Sequence, residues 1–111
     1  MIDSWAFRLT ERLDQSTLDR LRSRLGLQAS GRLTDDWDEL FGEVRRMIDG
    51  GWVQVDLWRD VDTSEWRIDV EMPADLPEEE VERTLAEVQE AVSSAGLTVA
   101  SSLKRPSRPA V

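Results

Sequence analysis

The sequence predicts an α+β fold, an antiparallel sheet with helices on one face. Residues 52–61 and 66–72 alternate apolar and polar side chains around the polar link "DVDTSE", the pattern of a β-hairpin. "PADLPEEEVERTLAEVQEAVSSAGL" repeats apolar residues at helical spacing. A chain of 111 residues suits one domain and can bury a core without metals or crosslinks.

The elements follow in order. In "WAFRLT", Trp5, Phe7 and Leu9 face one way and Ala6, Arg8 and Thr10 the other, which predicts a half-buried strand. "LDQSTLDRLRSRLG" places Leu18, Leu21 and Leu25 on one helical face. Asp14 or Ser16 can cap its start and Gly26 its end. "LQASGR" is a polar connector. "TDDWDELFGEVRRMIDGG" carries Trp37, Leu40, Phe41, Val44, Met47 and Ile48 at helical spacing, which predicts a second helix capped by Thr34 and stopped by Gly50 and Gly51. In the hairpin, Val53, Val55 and Leu57 oppose Trp52, Gln54, Asp56 and Trp58, and Trp66, Ile68, Val70 and Met72 oppose Arg67, Asp69 and Glu71. The last helix buries Val81, Leu85, Val88 and Val92. Pro77 and three glutamates suit its first turn. "LTVASSL" is expected as a short final strand.

Merging the two N-terminal helices into one crossover produces the β-α-β-β-α-β plan of ferredoxin-like sandwiches. The resemblance is to a superfold, and such folds host many functions. The expected organisation is one α+β domain over residues 1–103 and a disordered basic tail, "KRPSRPAV", over residues 104–111.

Composition removes several chemistries. The chain has no Cys, His or Tyr and one lysine, Lys104. No serine has a histidine to activate it, and no glycine-rich phosphate loop is present. The expectation is a non-enzymatic protein without cofactor or metal. "MIDSWAFRLTERLD" lacks the apolar run of a signal peptide, and no stretch approaches the roughly 18 apolar residues of a membrane span. A cytoplasmic, soluble protein is expected. Net charge is −9, concentrated in residues 35–82, where 17 Asp and Glu face 4 Arg. Such a block repels nucleic acid and anionic lipid and attracts a basic partner.

"DVDTSEWRIDVE" imitates a calcium loop, with Asp60, Asp62, Ser64 and Glu71 at ligand positions. Glu65 stands where the sharp turn needs glycine. Asp56 and Asp69, side by side across the hairpin, form a carboxylate pair of the kind glycosidases use, but paired acids on neighbouring strands are usually a solvated face.

The open face holds the candidate partner-binding residues: Trp52, Gln54, Asp56, Trp58, Asp60, Asp62, Arg67, Asp69 and Glu71. Indoles can anchor an interface and acids can steer and orient it. The intramolecular alternative has Trp52 capping the sheet end and Trp58 covered by the tail or the connector at residues 28–33. The function expected from these features is inhibitory binding of a basic protein, a toxin or nuclease, as an immunity protein or antitoxin does. The alternative is a homodimeric structural or regulatory domain that pairs through its open sheet face.

Overall fold

The computed structural model describes residues 1–109. Six strands and two helices run in the order β1 (Ile2–Leu9), α1 (Gln15–Leu25), β2 (Gln28–Ala29), β3 (Leu40–Ile48), β4 (Gly51–Arg59), β5 (Trp66–Pro73), α2 (Glu78–Ser94) and β6 (Val99–Arg108). The strands form one sheet in the order β2-β3-β4-β5-β1-β6, and every pairing is antiparallel. The class is therefore α+β. The sheet has six strands where the β-α-β-β-α-β plan has four.

The core lies between the sheet and both helices. Phe7, Leu9, Val53, Val55, Leu57, Trp66, Ile68, Val70 and Met72 pack against Leu18 and Leu21 of α1 and Val88 and Val92 of α2. Alternation dictates which strand residues enter it, and Gln54 and Arg67 stay half-exposed on the other side. Trp5 is only half-buried, because it lies beside the edge strand, with the Lys104 ammonium 5.6 Å from its ring centroid.

Helix α1 starts at Asp14, whose carboxylate accepts the Thr17 N–H at 2.8 Å. It ends at Gly26, in the left-handed conformation with φ 70°. Helix α2 carries Glu78, Glu79 and Glu80 in its first turn, favourable beside the positive end of the helix dipole. Among the described residues no helix is long and apolar enough to cross a membrane.

Two expectations are corrected. Residues 34–49 form no helix: residues 30–39 are a connector, and Leu40–Ile48 is strand β3. A register shift between Leu40 and Gly42 marks a bulge, which puts two successive residues on one side of the strand. Phe41 and Gly42 are both buried, and Val44 and Ile48 follow as half-buried residues. The bulge thus turns the two-residue period of a strand into an apparent helical spacing. The basic tail is also ordered through Arg108. Residues 104–108 continue β6, pairing Lys104 with Trp5 and Arg105 with Ser4. Ala110 and Val111 of the expected tail lie outside the described residues.

Candidate functional site

The hairpin register sets the open face. Glu43, Asp56, Asp69, Ala6 and Leu103 lie in one row across β3, β4, β5, β1 and β6. Arg45, Gln54, Glu71, Ser4 and Arg105 make the next row. The carboxylates of this face are largely matched from within the chain. Asp69, only 8% exposed, accepts Arg67 Nε at 2.8 Å and has Arg105 at 3.7 Å. Glu71 pairs with Arg108. Arg45 donates to Gln54 Oε1 at 3.0 Å and lies 4.2 Å above the Trp52 ring. Gln54 in turn donates to Asp56 Oδ1 at 2.8 Å.

Asp56 and Glu43 are the carboxylates of the first row without an arginine partner among the described salt bridges, and Asp56 is the more buried of the two. Burial pushes its carboxyl above the usual aspartate range; the Gln54 amide opposes this, and neighbouring Glu43 and Asp69 add to the rise.

The two indoles expected as anchors are both half-buried. Trp52 is covered by Arg45, as above. Trp58 faces Leu40 on β3 and Arg67 on β5, and its Nε1–H is buried without a hydrogen-bond partner among the described residues. Beside it lies a cavity of about 210 Å³ lined by Glu39, Trp58, Arg59, Asp60, Arg67 and Asp69. Asp60 and Asp62 are exposed in the β4–β5 turn beyond the strand ends, and Asp60 reaches the cavity beside Trp58. Asp60 Oδ1 accepts the Asp62 and Thr63 backbone N–H groups at 2.8 and 2.9 Å. Those bonds hold its carboxyl below the usual range. Ser64 sits at φ 62°, and Glu71 of the calcium-loop pattern is engaged with Arg108. Among the described residues no cluster of three or more acidic, His or Cys side chains could hold a metal.

The structure draws a different set of residues together at the end of the sheet. The connector carries Asp35, Asp36, Asp38 and Glu39, and the β4–β5 turn adds Asp60, Asp62 and Glu65. Glu39 and Asp60 share the cavity beside Trp58, and the Arg59 N–H donates to the Glu39 carbonyl at 2.7 Å. Trp37, in the middle of the acids, is 81% exposed.

This connector has no regular secondary structure of its own, and its shape is held by side chains. The Arg59 guanidinium donates to the carbonyls of Leu33, Asp35 and Asp38 at 3.4, 2.5 and 3.2 Å. The same group sits 4.6 Å from the Phe41 ring centroid and 5.8 Å from that of Trp66, so its anchor is the core itself. Asp38 Oδ2 accepts the Arg32 N–H at 2.7 Å. Asp35 Oδ1 accepts the Trp37 N–H at 3.0 Å, which fixes the backbone on which the indole stands.

Periodicity alone placed Trp37 in a buried helical stripe. The signal against that reading was local: "DDWDE" surrounds the indole with four carboxylates, and Gly42 stands inside the supposed helix, where it is unfavourable.

No protein-family model matches the chain, and no curated protein matches it significantly.

Proposed function

We propose that this is a small binding module that docks a basic protein through the acidic end of its sheet, with Trp37 as the anchor. The observation that carries the reading is the indole itself, 81% exposed on a connector that Arg59 holds by three carbonyls. A large side chain held out in water stabilises nothing in the fold and is ready to bury its area in a partner. A connector fixed beforehand loses little conformational freedom on binding. Asp35, Asp36 and Asp38 beside it in the chain, and Asp60 next to Glu39 at the same end of the sheet, supply the field that steers a cationic surface. Inhibition of a basic toxin or nuclease, the role of an immunity protein or antitoxin, is the form of binding these features fit best. It needs no catalytic step and no cofactor. The chain order supports a finer fold reading as well: without β2 and β3, the remaining elements follow the ferredoxin-like β-α-β-β-α-β plan.

The test uses paired baits. The wild-type protein and Trp37→Ala are immobilised at equal density and exposed to the same panel of purified basic proteins. The reading expects a cationic partner retained by the first and lost from the second, with Trp52→Ala behaving as wild type. Equal retention by all three would remove Trp37 from the interface.

One observation favours the homodimer as a second reading. The open face bears Glu43, Asp56, Asp69 and Glu71 against Arg8, Arg45, Arg67, Arg105 and Arg108, so two copies would not meet as like charges. Met47 and Leu103, 78% and 65% exposed, lie at opposite sides of that face. Light scattering of the wild type against Met47→Asp/Leu103→Asp decides it. A dimer that becomes a monomer supports this reading, and a monomer in both removes it.

A further inference from the structure

We propose that the edge of β1 now covered by β6, with Asp3, Asp69 and Glu71 around it, is a seat for a basic extended segment of a partner protein, which enters by replacing β6. The seat is separate from the Trp37 end and stands or falls independently of that reading.

The resident strand shows what the seat recognises. Lys104 pairs with Asp3 at 3.5 Å and lies over the Trp5 ring. Arg105 reaches Asp69 at 3.7 Å, Arg108 pairs with Glu71, and Ser107 donates to Asp3. These three carboxylates are little exposed, at 14%, 12% and 20% of their side-chain surface. The strand that covers them is itself exposed at every residue from Ala100 to Arg108. Among the described residues it ends the sheet and pairs with β1 alone.

Little besides charge and one ladder of backbone bonds holds β6 down. Val99 is half-buried, and Leu103 points its side chain into water. Register shifts interrupt the pairing at both ends, between Ile2 and Ser4 and between Arg8 and Leu9. Pro106 has no N–H to donate. Its departure would bare an edge of β1 together with Asp3 and Glu71, which pair with no cation outside β6 among the described residues. Asp69 would keep Arg67. A strand added to a free edge gains affinity from backbone bonds and specificity from its side chains. Here the specificity is for two adjacent cations, with a third three residues further on.

The probe is a fluorescent peptide of residues 99–108, VASSLKRPSR, titrated into the full-length chain and followed by anisotropy. Arg105→Glu/Arg108→Glu in the chain sets the resident strand against Asp69 and Glu71 and should release it, so the peptide should bind this variant at least tenfold more tightly than wild type. Asp3→Asn/Glu71→Gln should weaken peptide binding, as should 0.5 M salt. A peptide with glutamate at its three cationic positions should not bind. In the unaltered chain, amides of Ser101–Ser107 should exchange with deuterium at least tenfold faster than those of β4, and faster still with peptide present, while β1 stays protected. The proposal is overturned if β6 amides are as protected as those of β4. It is equally overturned if the released variant binds no more tightly, or if light scattering shows that the vacated seat takes the β6 of a second copy instead.

Discussion

Arg59 connects the core to the acidic end. Its charge rests on two aromatic rings while its donors hold the connector. Hydrogen bonds from a charged donor are each worth about 1.5–3 kcal/mol, though this group is partly in water. Arg59→Ala should therefore cost about 2 kcal/mol, read by urea unfolding. Trp37→Ala should change stability by less than about 0.5 kcal/mol, as surface substitutions do, in the same measurement. Asp56 makes a pH prediction. Burial raises its carboxyl above the ordinary 3.8, so the folded chain holds that proton more tightly than the unfolded one. Its effect on stability is then a penalty that grows as pH rises from near 3.8 through the raised value. Asn at this position keeps an oxygen for the Gln54 amide and removes the charge. Asp56→Asn should raise the melting temperature at pH 7, and the gain should shrink towards pH 4. The single-residue alternation that buried Val55 and Ile68 and left Gln54 and Arg67 at the surface was legible in the sequence. The cationic partners of Asp69 and Glu71 were not, because Arg105 and Arg108 arrive from more than thirty residues away.

At the scale of elements, the helices and the hairpin were legible, and the errors sit where a strand imitates something else. β3 looked helical because a bulge spaces Phe41 and Val44 three apart on one side, and because Arg46 interrupts the alternation by reaching Glu87 of α2 at 2.9 Å. β6 looked like a tail because its stabilisation is ionic and local hydrophobicity is low. Neither the bulge nor the pairing partner can be read from a window of ten residues. The connector before β3 depends on Gly31, at φ 73°, where an added Cβ would lie 2.6 Å from the Leu40 carbonyl oxygen. Gly31→Ala should destabilise the protein by roughly 1–3 kcal/mol. The amides of residues 33–39 should lose exchange protection first, which hydrogen–deuterium exchange resolves.

Across the whole molecule, the acidic block of residues 35–82 is not one surface. Folding divides it. The acids on β5 meet arginines from β5 itself and from β6, which leaves the open face nearly balanced. The connector and the β4–β5 turn keep seven carboxylates at one end, with Arg59 turned inward to backbone carbonyls. Net charge predicts a cationic partner, but the place proposed for it depends on the topology that sets Glu39 beside Asp60. Exposed charges are screened beyond ~10 Å at 0.1 M salt. Association with a cationic partner should therefore slow steeply between 0.05 and 0.5 M salt, with a smaller change in dissociation, in stopped-flow or surface-binding kinetics.

The most direct test of the docking surface uses the chain's five indoles as fixed reporters. Their Nε1–H resonances are followed in a ¹⁵N–¹H correlation spectrum as a retained basic partner is added. The Trp37 indole should shift and lose its exchange with water as the complex forms, and Trp52 and Trp66, under Arg45 and in the core, should keep their positions. A complex in which Trp52 or Trp58 moves while Trp37 still exchanges freely with water would contradict the account and return the interface to the open face.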